Sequence, residues 1–251
     1  MSRLLLPLLF LLLVAAAPFD PFGAARVDER PGAQVPLDGA LRDASGGATS
    51  LRRLAEGKVL VLVPVLHDCP NICAVTLAGI ADAAQAQKRF AAGRDFRLVA
   101  FGIDPAETPA DAAADLARLK AQHGGLPFAA TTASPSTIRA VTDAIGYHYA
   151  YDPRIGQYAH AAASAVITPD GRLVRWLYGL NPDPGDLEAA IADAQAGRTG
   201  GLLRQLILLC YHYDPQSGTW SPMIDRILRY AGVATVLVIG ALILTLRRRF
   251  A

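Results

Sequence analysis

The chain has 251 residues, 18% of them charged, a formal net charge of +2 and only three cysteines. Its mean hydropathy of +0.28 is high for a soluble protein and directs attention to membrane segments. The near-neutral charge gives no case for nucleic acid, and three cysteines exclude a disulfide-built scaffold.

Residues 1–25 read as a secretory signal peptide: Arg3, a leucine-rich run from Leu4 to Val14, then Ala15, Ala16 and Ala17. The apolar run is too short to span a bilayer. Pro18 disfavours cleavage after Ala17, so cleavage after Ala25 is the alternative, and an uncleaved anchor is the competing reading. In each case the domain from 26 to 200 is exported, to a compartment where disulfides are permitted. Val35 to Arg42 and Ala48 to Leu51 flank Ser45-Gly46-Gly47, which predicts an N-terminal hairpin. Leu51 to Glu56 forms a short connection into the next segment.

That segment, Val59 to Cys73 (VLVLVPVLHDCPNIC), is the most informative of the chain. Continuous apolarity over so short a length predicts a strand buried on both faces. Pro70 suits the first position of a helix. Cys69 then becomes its N-cap, with Cys73 in the first turn on the same face. The orphan N–H groups and dipole of a helix start favour thiolate over thiol. On spacing alone this C-x3-C is either a two-ligand metal site or a redox pair.

Ala74 to Ala92 reads as a helix ended by Gly93, Phe96 to Ile103 as a strand stopped by Asp104-Pro105, and Pro109 to His123 as a helix closed by Gly124-Gly125. Ser134 to Ile145 is a further helix. Ser164 to Thr168 and Leu173 to Tyr178 are strands joined by the turn Pro169-Asp170-Gly171, and Asp186 to Ala196 is the last helix. Alternating strands and helices predict an α/β sheet with parallel crossovers and a terminal hairpin.

Composition changes after Gly200. Residues 201–226 form a juxtamembrane linker, with Tyr211 to Pro215 and Gly218 in a loop. Ile227 to Leu246 is apolar enough to cross a bilayer, and Arg247-Arg248-Arg249 follows in a five-residue tail, 247–251. The positive-inside bias places that tail in the cytoplasm and the α/β domain in the periplasm of a bacterial inner membrane.

Three stretches in order, His67-Asp68-Cys69-Pro70-Asn71-Ile72-Cys73, Ile103-Asp104-Pro105-Ala106-Glu107-Thr108-Pro109, and Tyr158-Ala159-His160 leading to Thr168-Pro169-Asp170-Gly171-Arg172, resemble the SCO/SenC family. The resemblance runs from about Pro31 to Ala196. It implies a thioredoxin-like fold and a copper chaperone for cytochrome c oxidase assembly. The ligands it implies for one Cu(I) or Cu(II) ion are Cys69, Cys73 and His160. Its implied partners are the oxidase subunit carrying the copper centre or another copper chaperone. Ala74 stands where the family often has a second proline, and the expected anchor is C-terminal rather than N-terminal.

Two soft thiolates and an imidazole suit copper, whereas structural zinc would want a fourth ligand. His67 could serve as a fourth ligand, but a strand-end histidine aimed elsewhere is the preferred reading. Asp104 is expected to cap its loop or orient the site, and Asp68 to shape the start of the helix. Cys210 and His212 read as a packing pair beside the membrane, with a second copper site as the alternative. His123 reads as a helix C-terminal cation, and His148 carries no functional signal. The rival function is an exported thiol–disulfide oxidoreductase or redox sensor using Cys69–Cys73. Thioredoxin-like reductases usually place a proline before the strand facing their cysteines, and Tyr158 to Thr168 has none. A peroxidase would need a Thr and an Arg beside its cysteine, and the loop has neither. The reading is a metallochaperone rather than an enzyme, with dithiol exchange on a client as a possible second role.

Protease added to intact spheroplasts expressing the chain is expected to digest the α/β domain. A protected domain with an exposed C-terminus would reverse the assigned topology.

Overall fold

The structure is a computed structural model and describes residues 25–68, 73–153, 156–200, 211–214, 219–222 and 235. Strand β3 (Val59–Val65) is its centre, and all seven residues are buried. A strand so apolar must be covered on both faces and paired on both edges. It pairs in parallel with β4 (Phe96–Gly102), from Val59↔Phe96 to Val65↔Gly102, and antiparallel with β8 (Ala163–Ile167). The sheet extends through β5 (Phe128–Ala133), β1 (Leu41–Asp43) and β2 (Ala48–Thr49) on one side and β9 (Leu173–Tyr178) on the other. The strand order is β2-β1-β5-β4-β3-β8-β9. The helices are α1 (Leu51–Ala55), α2 (Cys73–Ala86), α3 (Pro109–His123), α4 (Pro135–Ile145) and α5 (Pro184–Gln195). This mixed sheet, with parallel crossovers and a terminal β8–β9 hairpin, is the thioredoxin-like α/β arrangement expected.

Local chemistry explains several boundaries. The β1–β2 turn is held by one carboxylate oxygen of Asp43, which accepts from the N–H groups of Ser45 and Gly47, each at 2.9 Å. The expected strand from Val35 is shorter, because Val35 donates its N–H to the Gly171 carbonyl at 2.8 Å and so packs under the β8–β9 turn. Leu51 to Ala55 is a helical turn rather than a plain connection, capped by the Ser50 hydroxyl, which accepts from Arg53 N–H at 3.3 Å. The helix expected to reach Ala92 stops at Ala86. Gln87 ends it by accepting the Phe90 N–H at 2.9 Å and donating to the Ala84 carbonyl at 3.1 Å. Helix α3 has the expected bounds, with Pro109 at its start and Gly124 at its end.

Three elements were not expected from the sequence. One is β5, and the second is the hairpin of β6 (Tyr149–Asp152) and β7 (Gln157–His160). The third lies in the segment expected as a loop, where β10 (Tyr211–Asp214) pairs with β11 (Thr219–Pro222). Among the described residues no helix is long and apolar enough to cross a membrane. The expected span 227–246 lies outside them apart from residue 235, as do the tail 247–251 and the signal segment up to residue 24.

Helix α2 packs against both α3 and α5, and Gly79 sets how closely it approaches the chain leaving β9. A Cβ at Gly79 would lie 1.8 Å from the Leu180 carbonyl oxygen, so a side chain there forces backbone apart. Gly79→Ala is therefore expected to cost about 1–3 kcal/mol or more by overpacking, read as a lower denaturation midpoint. An unchanged midpoint would mean that α2 does not rest on this contact.

Candidate metal centre

Strand β3 runs directly into the segment that carries the cysteines, and the residues just before them are fixed. His67 is 1% exposed. Its Nδ1 lies 2.9 Å from a carboxylate oxygen of Asp115 on α3, and its Nε2 lies 3.0 Å from the Thr131 carbonyl oxygen on β5. Both neighbours are acceptors, so the doubly protonated ring satisfies both. Burial alone would push the His67 pKa down. Hydrogen bonds to Asp115 and Thr131, with the charges of Glu107 and Asp115, outweigh it and raise the pKa above the ordinary histidine value. With both ring nitrogens donating, His67 is not placed to ligate a metal, as the preferred reading held. Arg118 closes the arrangement by donating to the His67 carbonyl at 2.8 Å and to Asp115 at 3.3 Å.

The next residue is held from the other side. Asp68 N–H donates to Glu107 Oε1 at 3.0 Å. Glu107 lies in the loop between β4 and α3, which Asp104 shapes by accepting the Ala106 N–H at 2.8 Å. Asp104 thus caps its loop as expected. Glu107 Oε2 is shut off from solvent with no hydrogen-bond partner among the described residues. Burial is the largest cause pushing the Glu107 carboxyl up, to about 7; the Asp68 N–H and the His67 charge oppose the rise, and Asp104 adds to it.

His160 reaches the same end of the sheet by another route. It is the last residue of β7, opposite Tyr149 on β6, and is half-buried. The chain then enters β8, whose register against β3 is Leu62↔Ala165, Val61↔Val166 and Leu60↔Ile167. The pair is antiparallel, so the start of β8, beside His160, faces the end of β3 that leads to Cys69. His160 Nδ1 lies 2.9 Å from the Tyr147 hydroxyl oxygen and 3.3 Å from the Ala161 carbonyl oxygen. Tyr147 is itself 1% exposed and stacks on Trp176 with ring centroids 5.4 Å apart.

Of the expected ligands, Cys73 is the first residue of α2, in the first turn as expected, and His160 is placed as above. Cys69 and the helix start assigned to Pro70 lie outside the described residues, as does Cys210. Among the described residues no three His, Cys, Asp or Glu side chains gather as a metal site. His123 ends α3 as expected and pairs with Asp82 at 3.3 Å; His148 donates to Asp28 at 2.8 Å. Sequence reasoning missed Glu107, Asp115 and Tyr147. Glu107 sat inside a motif already singled out. Asp115 looks like one more polar residue on an alanine-rich helix, and only the fold sets it against His67.

A family model described as SCO1/SenC matches residues 35–195. The chain belongs to the SCO1/SenC family. Among solved structures it is similar to a candidate electron transfer protein from Aquifex aeolicus VF5, at 21% identity and a TM-score of 0.61, covering 69% of this chain and 98% of that one. It is also similar to copper-bound ScoI of Arabidopsis thaliana, at 20% identity and a TM-score of 0.52, covering 67% of this chain and 98% of that one. A third is BsSco, a member of the Sco family of cytochrome c oxidase assembly proteins in which a disulfide switch was identified. It has 20% identity and a TM-score of 0.50, covering 67% of this chain and 98% of that one. At these identities the likeness shows the fold. No curated protein matches the chain.

The raised Glu107 pKa has a thermodynamic consequence. Between the ordinary value of 4.5 and about 7, the folded protein holds a proton that the unfolded chain has lost. Stability contributed at this site therefore falls as pH rises through that window. Glu107→Gln keeps an acceptor for Asp68 but cannot ionise. Its melting temperature is expected to match wild type near about pH 5 and exceed it near about pH 8. A constant difference across that range would remove Glu107 from the account.

Proposed function

We propose that the chain is a membrane-anchored chaperone that binds one copper ion through Cys69, Cys73 and His160. It delivers that ion during assembly of the cytochrome c oxidase copper centre. The observation that carries this reading is the position of His160, where the start of β8 faces the end of β3 that runs into Cys69. The donor set fits the cargo: thiolate sulfur is soft and selects Cu(I), and an imidazole extends the site to Cu(II). The frame around the cysteine segment fits too. The His67–Asp115 and Asp68–Glu107 contacts restrain the residues that lead into Cys69. Copper bound to the Arabidopsis relative and the assembly role of the Sco family of BsSco support the same reading.

The domain works in the periplasm, exported by a signal peptide at 1–25 and held by a span at 227–246, with the client being the oxidase subunit that receives the copper or another copper carrier. The disulfide switch of BsSco favours a second role for the same sulfurs. Two cysteines four residues apart on a helix have Cα atoms close enough for a disulfide, so the C-x3-C spacing permits one. In that step one thiolate attacks a client disulfide and the second resolves the mixed disulfide. Two electrons pass to the client, whose cysteines leave as thiols, and Cys69–Cys73 becomes oxidised.

Copper titration separates the two roles. Cys69→Ser or Cys73→Ser is expected to abolish tight Cu(I) binding, and Cys210→Ser to leave it nearly intact. His160→Ala should weaken copper binding at least tenfold, about 1.4 kcal/mol. The same change should leave the Cys69–Cys73 reduction potential within about 30 mV, because His160 takes no part in the sulfur–sulfur bond. Full copper affinity in His160→Ala together with lost disulfide reductase activity would overturn the chaperone reading in favour of the oxidoreductase.

A further inference from the structure

Tyr147 is two residues past helix α4, and its placement is over-determined. Gly146 closes the helix with φ 72°, a left-handed conformation that suits glycine, and a Cβ there would lie 2.1 Å from the Asp28 carbonyl oxygen. Tyr147 N–H donates to the Thr142 carbonyl at 2.8 Å, and the flanking Gly146 and His148 pair with Asp28 and Arg26. The ring is stacked on Trp176, whose indole N–H donates to the Ile145 carbonyl at 3.3 Å. Every one of these contacts aims one group, the Tyr147 hydroxyl, at the end of β7.

That hydroxyl has a single proton. It lies 2.7 Å from the Ala161 carbonyl oxygen, which can only accept, so the proton points there. The phenol oxygen then faces His160 Nδ1 at 2.9 Å as an acceptor, and the Ala161 carbonyl, 3.3 Å from the same nitrogen, is an acceptor as well. Both neighbours require Nδ1 to carry the ring proton. A neutral imidazole has only one N–H, so the lone pair is left on Nε2.

We infer that Tyr147 is a positioning residue for the metal centre: its hydroxyl fixes His160 as the Nδ1–H tautomer and so presents Nε2 as the metal-binding nitrogen. The inference rests on His160 being a copper ligand, as proposed above. An unrestrained histidine divides between two tautomers and several ring orientations, and binding would have to select one. A ligand histidine whose other nitrogen donates to a fixed oxygen has made that selection before the metal arrives. Binding at Nε2 then needs no proton to leave the ring.

The test uses the full chain with 15N-labelled histidine, metal-free, at about pH 8, above the ordinary histidine range. Long-range proton–nitrogen correlation is expected to show His160 with hydrogen on Nδ1. Tyr147→Phe keeps the stack on Trp176 but leaves only the longer contact to Ala161. It should populate the Nε2–H form and weaken Cu(II) binding about tenfold or more. A wild-type His160 protonated on Nε2 would overturn the inference even if the variant does not fold. Copper affinity in a folded Tyr147→Phe within about twofold of wild type would overturn it as well. His160→Ala run in parallel separates the two failures. If it binds copper as tightly as wild type, the ligand assignment falls; if it loses copper while Tyr147→Phe does not, only the role of Tyr147 falls.

Discussion

His67 and Asp115 meet at 2.9 Å with side chains 0% and 5% exposed, and the rest of the site hangs on that pair. A buried charge is tolerated only where its partner and its remaining hydrogen bonds are all present, and removing one member of such a pair typically costs about 3–5 kcal/mol. Here the imidazolium uses its second N–H on the Thr131 carbonyl, and Asp115 accepts from Arg118. Three elements are thereby tied at one point: the end of β3, the middle of α3 and strand β5. Hydrophobic residues alone would hold these elements together with less control over their relative position. The polar pair sets where the chain leaves the core for the cysteines.

The two sides of the candidate site are restrained by different physics. On the cysteine side the frame is ionic and hydrogen-bonded, through His67, Asp115, Arg118 and Glu107. On the histidine side it is aromatic, through Trp176 and Tyr147, with the Tyr149–Tyr158 edge contact at 5.4 Å bracing the hairpin that bears His160. The two lie at the same end of the sheet because β8 pairs antiparallel with β3. A metal that needs ligands from both is then a reporter of that pairing, and sulfurs that exchange disulfides need only the first side.

Much of the organisation was legible in the chain. The β3 run, the α3 boundaries and the Pro169-Asp170-Gly171 turn announced themselves because each signal is local: continuous apolarity, Pro and Gly at helix ends, a turn tripeptide. Three sheet elements did not: β5, the β6–β7 hairpin and the β10–β11 pair. Phe128 to Ala133 is FAATTA, with side chains too small and mixed to show a strand period, and it is a strand because β4 and β1 pair with it. Tyr149 to Asp152 and Gln157 to His160 lack an apolar alternation because their hairpin is stabilised by tyrosine contacts across its face. The helix over-extended to Ala92 failed for a related reason: alanine-rich sequence carries no stop signal, and Gln87 supplies one through its side-chain amide.

The sequence by itself determined the fold class and the main helices, since strand, turn and cap signals act within a few residues, and its motifs made Cys69, Cys73 and His160 candidates through their resemblance to the SCO/SenC family. Tertiary structure alone decided what surrounds them. Asp115 becomes the partner of His67 only when α3 packs on the sheet at β5, and Tyr147 becomes the neighbour of His160 only when α4 ends beside β7. Contacts between residues far apart in the chain depend on the register of the sheet, and register is a property of the packed whole rather than of any one segment.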